Sequence, residues 1–100
     1  MNELLNMAIT AYRSGQVMHA IEMLEQITQQ EENNWLALFY LAMAYRRVHW
    51  PEGCRRTFEA LASRCPDASV KQRARAALNL IDNHRRLQLL SGAAAERTQV

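Results

Sequence analysis

Displacing the chain by 34 residues against itself lays apolar residue on apolar residue: Leu4 on Leu38, Met7 on Leu41, Ala8 on Ala42, Ala20 on Cys54, Leu24 on Phe58 and Ile27 on Leu61. An internal repeat limits the fold more than composition does, because a repeated unit must bury the same face twice, each copy against its neighbour. The match loosens at three places. Tyr45 falls opposite Ala11, one residue before Tyr12; His49 stands opposite Gly15; and the first copy ends in Glu31-Glu32-Asn33-Asn34 where the second has Pro66.

Within each copy the large apolar residues recur at i, i+3 and i+4, the spacing of one face of an α-helix. Small residues (Ala8, Ala20, Ala42, Cys54) stand where two helices would approach closely. Helices are predicted over about 2–14, 17–30, 35–48 and 52–64. Gly15 and Gln16 form the first turn, Pro51 starts the fourth helix near its first turn and Cys65-Pro66 ends it. Only 3 Gly and 2 Pro occur in 100 residues otherwise rich in Ala, Leu, Gln, Glu and Arg, which favours helix throughout. The expected fold class is all-α: tandem antiparallel helix hairpins, about two repeats, followed by a C-terminal capping helix.

That fifth helix is expected over 69–91. Asp67 or Ser69 caps it, and Ala74, Ala77, Leu78 and Ile81 repeat a first-helix face two residues later than the strict period. Arg73, Arg75, Asn79, Asp82 and Arg86 give it the polar outer face that a terminal element needs. Gly92 is the expected stop, and a break at Asp82-Asn83-His84 is the alternative. The organisation is thus a single domain over 1–92 (repeat one 1–34, repeat two 35–68, capping helix 69–91) with a flexible tail over 93–100.

The order Leu38-x2-Leu41-Ala42-x2-Tyr45, then Cys54-x3-Phe58, Leu61 and Pro66 resembles the tetratricopeptide-repeat pattern, with Leu38 in place of its Trp, Ala42 of its Gly and Cys54 of its Ala. The resemblance covers residues 1–66 well and 67–90 loosely. It implies a curved stack of hairpins whose first helices line a groove for a peptide or helix of a partner protein. Carried over position by position, that groove comprises Asn2, Leu5, Ile9, Tyr12 and Arg13 from repeat one, and Leu36, Phe39, Met43, Arg46 and Arg47 from repeat two. The family's clamp for a terminal carboxylate is not matched, because Leu5, Ile9 and Tyr40 stand where Lys and Asn are required. What remains is an apolar strip edged by arginines, suited to the apolar face of a helix with acidic residues beside it. In size and build the chain is similar to the small tetratricopeptide chaperones of bacterial type III secretion. Two other occupants of the strip are open: the chain's own Leu87, Leu89 and Leu90 folding back, or a second copy in a homodimer or self-associating scaffold.

Charge is divided along the chain. Residues 1–34 hold Glu3, Glu22, Glu25, Glu31 and Glu32 against Arg13 alone, a net of −4, which leaves +6 for the remainder of a chain whose formal total is +2. The pairs Arg46-Arg47, Arg55-Arg56 and Arg85-Arg86 invite a nucleic-acid reading. Neighbours on a helix point about 100° apart, however, and Glu52, Glu59, Asp67 and Asp82 are interspersed, so nucleic acid ranks third after a protein ligand and self-association. Cys54 and Cys65 form no C-x-x-C and are expected as reduced thiols. His19, His49 and His84 lie on separate elements without metal-ligand spacing. No phosphate-loop, dinucleotide, nucleophile-elbow or zinc-protease motif occurs, so neither enzyme activity nor a cofactor or metal is expected. Met1-Asn2-Glu3-Leu4-Leu5 lacks the basic and apolar regions of a signal peptide, and no apolar run approaches a membrane span; the expected location is cytoplasmic.

Overall fold

The computed structural model describes the backbone of residues 2–98 and the side-chain surroundings of residues 3–87. Five helices follow in order: α1 (Asn2–Arg13), α2 (Val17–Gln30), α3 (Trp35–Arg47), α4 (Pro51–Arg64) and α5 (Ala68–Thr98). No strand occurs among the described residues. Each helix packs against the next, so the short connections make consecutive helices antiparallel, and α1 also touches α3. Among the described residues no helix is long and apolar enough to cross a membrane.

The helix ends follow from local chemistry. Asn34 caps α3, its Oδ1 accepting from the Ala37 N–H at 3.1 Å while its Nδ2 donates to Glu31 at 2.9 Å. Proline occupies the start of α4, where the missing N–H costs nothing. Asp67 caps α5: its Oδ1 accepts from Ser69 N–H at 2.9 Å and Val70 N–H at 3.4 Å.

The repeat seen in the sequence recurs in the backbone. Gln16 N–H donates to Ala11 O and Gly15 N–H to Tyr12 O; 34 residues later Trp50 N–H donates to Tyr45 O and His49 N–H to Arg46 O. These are the wrapped bonds that close a helix C-terminus when the next residue turns left-handed. Gly15 has φ +92° and His49 φ +59°, so the position at which the two copies differ in residue is the same in conformation. A left-handed residue with a Cβ costs about 1–2 kcal/mol. His49→Gly is therefore expected to stabilise the protein by about 1 kcal/mol, less the entropy that glycine loses on folding, read as a higher urea midpoint at unchanged slope.

Burial repeats as well. Ala8 and Ala42, Ala20 and Cys54, Leu24 and Phe58, and Ile27 and Leu61 are all buried, and Leu4 and Leu38 are both half-buried. The exception is Met7, 59% exposed, against Leu41 at 5%. The difference is a matter of neighbours. Ala37, Leu41 and Ala44 are buried on α3, which packs against α1, α2 and α4, whereas Glu3, Met7 and Thr10 hold the same positions of α1, which among the described helices packs against α2 and α3. The sequence respects this, placing two polar residues among the three. Residues 35–45 of α3 are unbroken apolar or aromatic, as suits a helix with neighbours on several sides.

Hairpin two is closed by a chain of contacts. The Tyr45 hydroxyl donates to Glu25 on α2 at 2.9 Å. Its ring meets Trp50 edge-on at a centroid separation of 4.8 Å. Trp50 in turn lies over Gly53, where a Cβ would run into the indole. Glycine at 53 is thus what lets the ring settle on α4.

α5 departs from expectation in length. It begins at Ala68, passes Asn83 without a break and continues beyond Gly92 to Thr98. Gly92 therefore does not end the helix, and residues 93–98 of the expected flexible tail are helical, while 99–100 lie outside the described residues. One interior glycine costs about 1 kcal/mol relative to alanine, and Ala93-Ala94-Ala95 follow it with the strongest helix former available. Thirty-one residues span about 46 Å at 1.5 Å each, against about 20 Å for α4. Ala74 is buried and Val70, Ala77, Leu78 and Ile81 are half-buried. Arg55, near the start of α4, reaches Asp82 at 3.5 Å, and residues 82–87 beyond that point are all exposed. The molecule is accordingly long, 58 × 29 × 19 Å, with a radius of gyration of 15.9 Å where a compact 100-residue chain has about 13 Å.

Candidate functional site

Contact between α1 and α3 brings two stripes of side chains together. On α1 the stripe is Leu5, Ile9 and Tyr12; on α3 it is Leu36, Phe39, Tyr40 and Met43, each set spaced by three or four residues and so on one helix face. Tyr12 meets Tyr40 edge-on at 5.7 Å, Tyr40 meets Phe39 at 6.3 Å, and Phe39 meets Phe58 of α4 at 6.4 Å. The aromatic row therefore runs from α1 across α3 to the core beneath α4. Such edge-to-face pairs add about 0.5–1.5 kcal/mol each beyond the area they bury, which holds the face in one arrangement.

The expected groove residues divide into three groups. Ile9, Tyr12, Phe39 and Met43 are half-buried, anchored in the core and open on one side. Leu36 is 52% exposed, and Arg13, Arg46 and Arg47 are exposed. Leu5 is a correction: at 7% exposure it belongs to the core, because its side of α1 turns in against the neighbouring helices. Asn2 lies outside the residues whose side chains are described. Tyr40, outside the expected set, links the two helices; its spacing of four from Leu36 and three from Met43 is the signal for it in the sequence.

Arg47 is tied to the face and not merely beside it. Its guanidinium stands 5.1 Å above the Tyr12 ring and donates through Nη1 to the Tyr12 carbonyl at 3.3 Å. This cation–π contact and hydrogen bond join the C-terminal ends of α1 and α3. Arg13, Arg46 and Arg47 occupy last turns of their helices, where the helix dipole favours positive charge.

Leu87 does not cover the strip: it lies on α5, which runs unbroken and packs on α4, and it is 62% exposed. The side chains of Leu89 and Leu90 lie outside the described residues. A shallow depression lined by Asn6, Met7, Thr10, Ser14, His19 and Met23 lies between α1 and α2, on the side of α1 turned away from Ile9 and Tyr12.

Groups of chemical interest are few. Cys54 and Cys65 are free thiols and both buried. Burial pushes the Cys54 thiol up, with Arg46 opposing, which disfavours the thiolate a nucleophile needs. Burial, and then the bond to Glu25, push the Tyr45 phenol well above its ordinary range. Among the described residues no three His, Cys, Asp or Glu side chains converge on a point where a metal could sit.

No protein-family model, curated protein or solved structure matches the chain.

Proposed function

We propose that this chain is a tetratricopeptide-like domain of two helix hairpins and a capping helix, and that it binds another protein along the α1–α3 face. The recurrence after 34 residues of apolar positions, turn hydrogen bonds and burial supports the repeat reading. A single observation carries the binding reading: Ile9, Tyr12, Phe39, Tyr40 and Met43 form a half-buried strip held by core contacts, with exposed Leu36 at one end and Arg13, Arg46 and Arg47 at the other.

Such a strip accepts the apolar face of a helix. Rigid aromatics supply contact area at little entropic cost, Met43 adapts to the ligand's shape, and the arginines meet acidic residues flanking that face. The domain acts as an adaptor or small chaperone, keeping an apolar helix of its partner from water, and performs no chemical step. Similarity to type III secretion chaperones goes no further than size and build.

The test uses two exposed positions so that folding is spared. With the protein immobilised in an extract of its own cells, wild type is expected to retain at least one protein that Leu36→Glu/Arg46→Glu retains tenfold less, the two baits having equal helical circular dichroism. Equal retention of the same proteins by both baits would show that the α1–α3 face is not the binding surface.

A further inference from the structure

Seven of the chain's 12 Lys and Arg residues gather at one end of the helix stack. Arg13 closes α1, Arg46 and Arg47 close α3, Arg55 and Arg56 open α4, and Arg85 and Arg86 follow the point where α5 outruns α4. Antiparallel packing puts these segments side by side, and specific contacts stitch them together: Arg47 on Tyr12, the His49 N–H on Arg46 O, and Arg55 on Asp82. In sequence the arginines are three scattered pairs and a singlet, whereas the fold makes them one edge.

The edge is not explained by internal pairing. Among the described residues, only Arg55 of the seven has a carboxylate within 4.0 Å, shared with Glu59 and Asp82. The remaining acidic groups of that end are Glu22 and Glu52, both exposed, and Glu25, half-buried and already engaged by the Tyr45 hydroxyl, a phenol that also feels the charge of Arg56. Helix dipoles favour Arg13, Arg46 and Arg47 at helix C-termini but offer nothing to Arg55 and Arg56 near the positive end of α4, or to Arg85 and Arg86 in mid-helix. A row of like charges repels itself and is stabilised by an anion that spans it.

We propose that this edge binds single-stranded nucleic acid, its backbone running from Arg13 past Arg46, Arg47 and Arg56 to Arg85 and Arg86, with a base stacked on Trp50. The row crosses four helices, so the ligand must present negative charge along a line. All seven cations are arginine, whose planar fork pairs with phosphate and stacks on bases. Trp50 sits among them, resting on Gly53 and 45% exposed, which provides the aromatic platform that single strands use and an acidic polypeptide does not need. This surface lies at the end of the stack and does not depend on the protein-binding reading of the α1–α3 face.

The experiment is fluorescence anisotropy of labelled 15-nucleotide oligo-U and oligo-dT with the full chain. Four neutralised phosphates give a slope of about −2.8 in log K against log salt, or roughly fiftyfold weaker binding at about 200 mM than at about 50 mM. Arg56→Gln/Arg85→Gln/Arg86→Gln, which leaves the groove residues intact, is expected to bind at least tenfold more weakly. Arg64→Gln/Lys71→Gln/Arg73→Gln, equal in charge change but remote from the edge, should stay within twofold of wild type. In a Trp35→Phe background, binding should quench Trp50 emission. The proposal is overturned by no binding at about 50 mM salt, by equal losses in the two triple variants, or by unquenched Trp50 with poly-L-glutamate of matched charge competing equally, which would assign the edge to an acidic polypeptide.

Discussion

Phe58→Ala is expected to lower the free energy of unfolding by about 3–5 kcal/mol, the range for removing a buried aromatic ring from a packed core. Phe58 is 1% exposed and among the largest fully buried side chains of the protein. It sits between α4 and the aromatic row, edge-on to Phe39, so its loss leaves a cavity and frees a neighbour. Natural domains hold about 5–15 kcal/mol in total, and a short chain lies toward the lower end because it buries less of its surface. The variant would melt roughly 12–40 °C lower, at about 4–8 °C per kcal/mol. Phe58→Leu, which installs the residue that repeat one carries at Leu24, should cost less than about 1.5 kcal/mol. Urea unfolding followed by circular dichroism measures both. A loss below about 1 kcal/mol for the alanine variant would mean that the α3–α4 interface is not packed as described. The same variant reaches function indirectly, since Phe39 loses the contact that holds it in the binding strip.

Alkaline pH is expected to unfold the protein in two stages set by Cys54 and Tyr45. Each is a weak acid whose neutral form the fold favours: burial raises the Cys54 thiol, and burial followed by the Glu25 bond raises the Tyr45 phenol. Their folded values lie above the unfolded ones, so the stability they contribute is full below the unfolded pKa and drains as pH rises through the folded pKa. Unfolded cysteine titrates near about 8.5 and tyrosine near about 10. Stability should therefore begin to fall above about pH 8.5 and fall faster above about pH 10, each group adding up to about 1.4 kcal/mol per pH unit. Cys54→Ala puts at 54 the residue found at Ala20 and removes the first stage, moving the onset to about pH 10. Tyr45→Phe removes the second at the cost of the bond to Glu25. Urea midpoints between pH 7 and 11 decide the matter; parallel curves for wild type and Cys54→Ala from pH 8.5 to 10 would contradict the burial assigned to Cys54.

Much of the scaffold was legible in the residues because the forces that set it are local. Pro51, Pro66, Gly15 and Asn34 act within a turn of their own position, and the first four helices begin and end within a residue of where those signals place them. Of the six pairs at a spacing of 34, four are buried in both copies and Leu4 and Leu38 are half-buried in both; only Met7 parts from its counterpart Leu41, because α1 packs against fewer of the described helices than α3 does and not because of its own chemistry. Gly92 misled for a related reason: a glycine ends a helix only where it turns left-handed itself, as Gly15 does, and three alanines carry α5 onward.

Helix periodicity places residues on a face; it does not say which face meets another helix. Carried over from the tetratricopeptide pattern, Leu5 is expected with Ile9 and Tyr12 as a groove residue, yet packing sends it into the core, and Tyr40 enters the site only because α1 lies close enough for Tyr12 to touch it. The arginines illustrate the limit most plainly. Backbone hydrogen bonding and apolar spacing, both short-range in sequence, determined the five helices and their pairing in hairpins. The gathering of Arg13, Arg47, Arg56 and Arg86 on one edge joins residues tens of positions apart, which only the docking of one hairpin on another can bring about.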